Sequence, residues 1–277
     1  MWMGSHAFYV SAHVVVGLLY AALAWVMWRG LQKGGPGDAR WFLPLLAAAH
    51  AALLASAIVG TEGIRLGFAP WLSATLLFTV LVVWAEGFLV PIRGLLVMVL
   101  PLAAIAAVLP ALFQGSQIAA ANETLAFRAH IGIAIAAFSL LTIAAMHALL
   151  MASMDRNLHS AGSGTTPFGR VLAEVPPLLA MERLVFRLIW TGFLLLTATL
   201  VSGVLFSEQL FGRALRFDHK TVFTIASWVV FAGLLVGRHF FGWRGRKAWR
   251  WTLVGFFMLL LGYVGSRFVL EVILHRT

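Results

Sequence analysis

The sequence has no cysteine and few charged residues among its 277 positions. Without cysteine, disulfides, thiolate metal sites and thiol redox chemistry are excluded. Asp and Glu number 10 against 20 Lys and Arg, and charged residues make up 11% of the chain. The sequence also lacks a Walker loop, a GxSxG elbow, an HExxH motif and a dinucleotide-binding fingerprint. These absences leave no signature of a conventional enzyme.

Long apolar runs take up most of the chain. Hydrophobic residues make up 61% of it, and the mean hydropathy is +0.94. A run of about 20 apolar residues is long enough to cross a bilayer as a helix. Eight such runs are predicted, at 8–28, 41–60, 70–90, 94–113, 129–153, 184–206, 220–239 and 250–273. We therefore expect an all-α polytopic membrane protein, a single bundle forming one domain over residues 1–277.

Two longer connections are predicted, and the basic residues predict on which side each one lies. The predicted cytoplasmic loops contain Arg29, Lys33, Arg40, Arg93, Arg156, Arg170, Arg183, Arg238, Arg244, Arg246, Lys247 and Arg250. The opposite side has fewer, namely Arg65, Arg128, Arg213, Arg216 and Lys220. Because cytoplasmic loops are enriched in Lys and Arg, both termini are predicted to be periplasmic. The loop at about 155–182 is then cytoplasmic, and the loop at about 207–219 is periplasmic.

The net charge of +10 is explained by this topology. We expect the basic loops to contact anionic membrane lipid rather than nucleic acid. Glu86 is a candidate for a buried carboxylate on an ion path, which would suit a transporter of ions or small molecules. Its position at the inner border of the third span favours an ion pair with Arg93 instead. The spans contain few carboxylates and no evident inverted repeat, which argues against a transporter.

The nine histidines fall at three predicted depths. The outer group is His6, His13, His130, His219 and His275. The inner group is His147, His159 and His239. His50 alone lies near mid-membrane, about 15 Å inward of Arg40 by the rise of a helix. Histidines in such places either hydrogen-bond to water or a backbone carbonyl, or bind a metal or haem iron. Spacing along the chain leaves both interpretations open.

Two stretches of the second half carry a resemblance to a known family. They are "PPLLAMERLVFRLIWTGFLLLTATLVSGVLF" at 176–206 and "GRHFFGWRGRKAWRWTLVGFFMLLLGYVG" at 237–265. These stretches resemble the cytochrome c assembly superfamily, haem-handling membrane proteins that include the CcsA and CcmC types. The eight-span YpjD and HemX-like branch is the most similar. The resemblance implies an assembly factor of the bacterial inner membrane rather than a conventional enzyme.

The resemblance also implies positions for haem ligands. His130 in "RAHIGIAIAAFSLL" and His275 in "VLEVILHRT" match the two histidines that flank haem at the outer surface. His50 and His239 match a second pair within the membrane. The implied cofactor is haem b, with these four histidines as axial ligands. Its propionates, or anionic lipid, would be attracted by Arg238, Arg244 and Arg246 inside and by Arg213, Arg216 and Lys220 outside.

The outer loop departs from the family pattern. Its stretch "FGRALRFDHKT" at 211–221 keeps Gly212 and Asp218 of a tryptophan-rich haem-binding segment. The tryptophan positions hold Phe211, Leu215 and Phe217 instead. Two functions follow as alternatives. The first is a protein that holds haem through paired histidines for carriage or for assembly of c-type cytochromes, together with other assembly proteins. The second is a haem-free scaffold or regulatory partner, which is similar to HemX-like proteins that tune haem synthesis.

Overall fold

The apolar runs of the sequence form helices in a computed structural model of the chain. It describes residues 2–33, 39–60, 63–91, 93–113, 116–119, 124–158, 167–173, 176–211, 219–269 and 273. At 2–6, 39, 59–60, 63–64, 66, 116–119, 157–158, 167–168, 173, 206–211 and 267 the backbone alone is described. A helix satisfies its backbone hydrogen bonds internally, and this is what a segment surrounded by lipid requires.

Within the described residues, eight helices are long and apolar enough to cross a membrane, as predicted. They are Ala7–Lys33, Arg40–Ile58, Phe68–Glu86, Arg93–Leu112, Leu125–Arg156, Leu178–Leu205, His219–Phe241 and Arg246–Gly265. The prediction of a helical, polytopic membrane protein is confirmed. The periplasmic placement of both termini stays a prediction.

The chain folds into two compact units. Unit 1 comprises Met1–Asn122 and Asn157–Pro176, and unit 2 comprises Glu123–Arg156 and Pro177–Thr277. The fifth long helix therefore belongs to unit 2, while the segment that follows it belongs to unit 1. The prediction of one domain over residues 1–277 stays a prediction.

Among its described residues, unit 1 contains five α-helices and a small sheet. The helices are α1 (Trp2–Lys33), α2 (Leu43–Ile58), α3 (Phe68–Glu86), α4 (Arg93–Leu112) and α6 (Pro167–Ala173). A 3₁₀ turn, Ala39–Phe42, precedes α2. Helices α1 and α3 both pack against α4, and α2 packs against α3. Helix α4 stays helical through Pro101 and Pro110.

The sheet in unit 1 was not predicted. Strand β2 (Gly63–Leu66) pairs antiparallel with β1 (Val59–Gly60) and with β3 (Ser116–Ala119). These strands lie in the connections that follow α2 and α4. Their residues alternate too briefly to give a strand pattern in the sequence, and backbone pairing between distant segments leaves no local signal.

Unit 2 contains helices α5 (Leu125–Leu158), α7 (Leu178–Phe211), α8 (His219–Phe241) and α9 (Arg246–Leu260). A π-helical turn, Leu261–Gly265, continues α9 into the short helix α10 (Ser266–Phe268). Gly242 and Gly245 have φ angles of 62° and 54°, which L-residues rarely adopt, and they form the tight turn between α8 and α9.

The loops predicted at 155–182 and 207–219 are shorter in the structure. Helix α5 extends to Leu158, α6 lies within the first loop, and α7 begins at Leu178 and continues to Phe211. These extensions contain charged residues such as Asp155 and Glu182. Hydropathy does not assign charged residues to a span. The backbone hydrogen bonds of a helix nevertheless continue beyond the apolar segment, so the helices are longer than the predicted spans.

Candidate functional site

His50 is a buried histidine of unit 1. It occupies the middle of α2 and is fully buried. Its Nε2 is hydrogen-bonded at 2.8 Å to Ser73 Oγ of α3. The ring of Tyr20, on α1, lies edge-on to the imidazole with centroids 5.6 Å apart. The Nδ1 atom of His50 is buried without a hydrogen-bond partner among the described residues.

His13 is a second fully buried histidine in unit 1. Its Nδ1 lies 2.7 Å from the carbonyl oxygen of Ala107 on α4. Because a carbonyl oxygen only accepts, Nδ1 carries the hydrogen and donates it. The Nε2 atom therefore holds a lone pair, and it too is buried without a partner in the described part of the chain. Tyr9 packs edge-on to the ring, with centroids 4.7 Å apart.

His130 has a defined tautomer in unit 2. Its Nδ1 is 2.7 Å from Ser202 Oγ on α7. The Ser202 hydroxyl donates to the carbonyl oxygen of Ala198 at 2.6 Å. Since that hydroxyl has a single hydrogen, its oxygen accepts the hydrogen on His130 Nδ1. Nε2 is then the nitrogen of His130 that is able to bind a metal, which is the arrangement found in metal-ligating histidines.

Unit 2 has further features besides His130. Lys220, in the first turn of α8, belongs to the same unit as His130. Lys220 Nζ lies 5.0 Å from the ring centroid of Tyr263, which belongs to the π-helical turn. Single π-helical turns within α-helices frequently occur at functional sites. Unit 2 therefore contains, besides the oriented His130 imidazole, a cation next to a local departure from α-helical geometry.

Of the remaining residues predicted to bind haem at these positions, His239 lies within the described part of the chain. His239 lies in the last turn of α8, where it is exposed and packs edge-on against Phe240 with ring centroids 4.8 Å apart. Because His50 belongs to unit 1 and His239 to unit 2, their pairing stays a prediction. His275, Asp218, Arg213 and Arg216 lie outside the described residues.

Glu182 organises the turn between α8 and α9 within unit 2. This carboxylate of α7 is 5% exposed. It accepts a 2.6 Å hydrogen bond from Arg238 Nη1 and a 3.2 Å hydrogen bond from the backbone N–H of Gly245. Arg244 Nε lies 3.9 Å from the same carboxylate. Arg238 also stacks over the Phe186 ring at 4.5 Å, so its guanidinium is occupied by protein groups.

The other predicted basic residues of this turn are more exposed to solvent. Arg244 has a side chain that is 68% exposed. Arg246 pairs with Asp155 of α5, with Nε 2.8 Å from Oδ2. Lys247 Nζ lies 5.7 Å from the ring centroid of Trp243. An exposed basic surface therefore remains at this end of unit 2, as expected for contact with anionic groups.

Glu86 ends α3 and is 7% exposed. The predicted ion pair between Glu86 and Arg93 is wrong, because no such pair joins these two described side chains. Instead, Arg40 donates to the neighbouring carbonyl oxygen of Gly87 at 2.8 Å. The Glu86 Oε2 atom has no hydrogen-bond partner among the described residues.

Several residues of these sites were missed by sequence reasoning. Ser73 and Ser202 are the hydrogen-bond partners of histidines 23 and 72 positions away. Glu182 was assigned to a loop, and no local signal pointed to its partners Arg238 and Gly245, which lie 56 and 63 positions away. His13 was treated as a border histidine, and its spacing of seven from Tyr20, two helical turns, was the signal for one inward face.

The fold defines a multi-pass membrane protein, and its described part buries several histidines that are hydrogen-bonded to neighbouring groups. The chain belongs to the cytochrome c assembly family, since the family model described as Cytochrome C assembly protein matches residues 41–274. That match extends over both compact units and confirms the resemblance seen in the sequence.

Individual relatives match over shorter regions. The chain is similar to the inner membrane protein YpjD of Escherichia coli (strain K12), 35% identical over 144 residues, which is 52% of each chain. An uncharacterized 28.8 kDa protein of Azospirillum brasilense is 38% identical over 147 residues, again 52% of each chain. The cytochrome c biogenesis protein CcsA of Synechococcus sp. (strain RCC307) is 33% identical over 138 residues, 46% of this chain and 44% of that protein. The matched regions span about half the length of these curated relatives.

Proposed function

We propose that the protein is an inner-membrane haem-binding factor that holds haem b through histidines for carriage or for assembly of c-type cytochromes. Family membership supports a role in cytochrome c biogenesis, and the name of the YpjD relative supports the inner membrane. The single observation that carries haem binding is His130. Its Nδ1 is hydrogen-bonded to Ser202, and this contact fixes the orientation of the imidazole.

The residues present fit a haem better than a bare metal ion. Among the described residues, no group of three or more His, Cys, Asp or Glu side chains is placed to hold a metal ion. A haem needs only one or two axial ligands from the protein, because the porphyrin supplies the other four. Buried imidazole nitrogens without partners, at His13 and His50, suit that requirement.

In this proposal the outer haem is held by His130 and His275, and the inner haem by His50 with His239. Each of these imidazoles would present one ring nitrogen to the iron. Lys220, in the first turn of α8, is our candidate to attract a propionate at the outer site. Arg244 and Arg246 are the candidates for an anionic group at the opposite end of unit 2. Two imidazoles saturate the iron, so the bound haem suits carriage or electron transfer rather than oxygen chemistry.

The test is haem content and spectrum of the purified full chain. Protein supplied with haem is expected to show a low-spin Soret band and a stoichiometric pyridine haemochrome. His130→Ala is expected to lose the outer haem or to convert it to a high-spin form, and added imidazole to restore the low-spin form. The matched control is His147→Ala, since His147 is buried but donates to Ile143 of its own helix at 2.9 Å.

Purified protein without a Soret band after haem is supplied would overturn this proposal. The specific observation that favours the second function, a haem-free regulatory partner, is the outer segment. It has Phe211, Leu215 and Phe217 where the family pattern has tryptophan. On that alternative, His130→Ala and His275→Ala leave cytochrome c maturation unchanged, while substitutions in the 155–182 region reduce it.

A further inference from the structure

The turn between α8 and α9 joins two membrane-spanning helices of unit 2. The first of these spans is His219–Phe241 and the second is Arg246–Gly265. The ends of spanning helices lie where the hydrocarbon core of the bilayer meets the lipid headgroups. The turn, residues 242–245, therefore lies at the depth of the headgroups.

Basic side chains outnumber acidic ones at this turn. The basic residues of the turn and of the adjoining helix ends are Arg238, Arg244, Arg246, Lys247 and Arg250. Within the described residues, the carboxylates that pair with them are those of Glu182 and Asp155. Asp155 is engaged with Arg246, whose Nε lies 2.8 Å from its Oδ2.

Glu182 does not neutralise Arg244. Its Oε1 atom accepts from Arg238 at 2.6 Å, and its Oε2 atom accepts from the backbone N–H of Gly245 at 3.2 Å. Arg244 Nε lies 3.9 Å from Oε1, which is too far for a hydrogen bond. The Arg244 side chain is also 68% exposed, so its charge stays available to a ligand.

Lys247 and Arg250 have aromatic neighbours. Lys247 Nζ lies 5.7 Å from the ring centroid of Trp243, and the Arg250 guanidinium lies 5.5 Å from that of Trp249. Both basic residues are exposed. They are three positions apart on α9 and so lie on one face of the helix. Together with Arg244 they form what we call the turn cations.

Exposed aromatic side chains lie beside the turn cations. Trp243 is fixed by its backbone N–H, which donates to the Gly237 carbonyl oxygen at 3.1 Å. Its ring packs against Trp251 with centroids 5.0 Å apart. Phe240 and Phe241, which precede the turn, are 73% and 72% exposed. Cations next to apolar rings at headgroup depth match the two parts of a lipid, a polar headgroup and acyl chains.

The turn is also held in one conformation. Glu182, which is 5% exposed, ties the Gly245 N–H to α7. Gly242 and Gly245 adopt positive φ angles that L-residues rarely adopt. A preorganised site loses less conformational entropy when a ligand binds. A turn anchored in this way therefore favours a defined binding site over diffuse attraction.

We propose that Arg244, Lys247 and Arg250 bind the phosphate of an anionic phospholipid, whose acyl chains pack against the exposed aromatic side chains of α8. Arginine and lysine form strong, charge-assisted hydrogen bonds with phosphate oxygens. A lipid of the bilayer fits better than a soluble phosphate, because apolar rings at headgroup depth have no use in binding a soluble anion. This inference goes beyond the proposed haem binding and does not depend on it.

The experiment titrates the full-length chain, purified in detergent, with phosphatidylglycerol and separately with phosphatidylcholine. Native mass spectrometry counts the bound lipids and measures their affinity. The test variant replaces the turn cations by Arg244→Gln, Lys247→Gln and Arg250→Gln. The control variant removes the same charge at other exposed helix ends, by Arg29→Gln, Lys33→Gln and Arg156→Gln.

The unchanged protein is expected to bind phosphatidylglycerol more tightly than phosphatidylcholine. Each single glutamine substitution of a turn cation is expected to weaken phosphatidylglycerol binding about fivefold, and the test variant about a hundredfold. The control variant is expected to bind as the unchanged protein does. Arg244→Lys keeps the charge and is expected to retain most of the affinity.

Three results would overturn the inference. Equal affinity of the unchanged protein for the two lipids shows that the headgroup charge is not recognised. Equal losses in the test and control variants show diffuse attraction rather than a site. Full competition by glycerol phosphate at concentrations equal to the lipid shows a site for soluble phosphate. Because no haem is added, failure here leaves haem binding intact, and a missing Soret band leaves this inference intact.

Discussion

Ser202 acts on His130 through one hydrogen bond. Its oxygen accepts from Nδ1 at 2.7 Å while its own hydrogen goes to Ala198. Partners of this kind fix the tautomer of a ligand, and their loss typically lowers metal affinity about 10–100-fold. Ser202→Ala is therefore expected to weaken haem binding at the outer site by about tenfold or more, measured by haem titration of the protein. Unchanged affinity would show that His130 does not bind iron through Nε2.

A neighbouring residue provides the control for that titration. Thr199 lies on the same helix and donates its hydroxyl hydrogen to the carbonyl oxygen of Leu195 at 2.8 Å. Its replacement by valine removes a hydroxyl from α7 without touching His130. Thr199→Val is expected to bind haem as the unchanged protein does, so a loss in Ser202→Ala alone is specific to the histidine contact.

Glu182 is a stability determinant at the residue scale. It is buried, and its loss would leave the Gly245 N–H without this acceptor. Arg238, with a side chain 26% exposed, would lose its carboxylate partner and keep the Trp243 carbonyl oxygen. Removing one partner of a fully buried ion pair costs about 3–5 kcal/mol. Because Arg238 is partly exposed, we expect Glu182→Ala to lower the free energy of unfolding by about 1–3 kcal/mol. Unfolding in mixed detergent with SDS measures this change.

The pair between Arg246 and Asp155 is the matched comparison. Its Nε–Oδ2 distance is 2.8 Å, but the two side chains are 57% and 25% exposed. Exposed ion pairs contribute about 0–1 kcal/mol. Asp155→Asn is therefore expected to change stability less than Glu182→Ala. Equal effects of the two substitutions would show that burial of Glu182 is not what makes its contacts strong.

At the scale of elements, the packing of α1 on α4 depends on a glycine. A Cβ at position 17 would lie 2.6 Å from Val108 Cγ2 and 3.0 Å from the Ala104 carbonyl oxygen. Overpacking of this kind costs about 1–3 kcal/mol. Gly17→Ala is expected to destabilise the protein by that amount in the same unfolding measurement. Gly132→Ala, where nothing lies within 4 Å of the added Cβ, is expected to be neutral or slightly stabilising, because alanine favours the helix.

The long helices were predicted well from the sequence because an apolar run surrounded by lipid forms a helix, which satisfies its backbone hydrogen bonds internally. All eight spans were identified, and His50 and His239 were placed correctly at the middle and at the end of their helices. Hydropathy did not reveal what pairs across the structure. The pairing of β2 with β3, the bond from His130 to Ser202 and the contacts of Glu182 all join segments far apart in the chain. Such contacts depend on packing rather than on local composition.

The histidines illustrate the same limit for the candidate site. The family resemblance selected His50 and His130, and the structure gives each a serine partner. The family resemblance gave no reason to select His13. The count of depth along the helix gave none either, because it treats a histidine near a helix end as solvated. Only the position of Ala107 on α4 shows that His13 is buried with its Nδ1–H already used.

At the scale of the whole molecule, the topology rests on the distribution of basic residues, and the absence of cysteine makes it directly testable. Single cysteines are introduced at exposed positions, Thr124 and His219 on the predicted outer side and Leu89 and Lys247 on the predicted inner side. In intact cells whose outer membrane is permeabilised, a membrane-impermeant maleimide is expected to label the first pair only. All four positions are expected to react once the inner membrane is also permeabilised. The opposite pattern, or mixed labelling within one pair, would contradict the orientation that the arginine-rich loops predict.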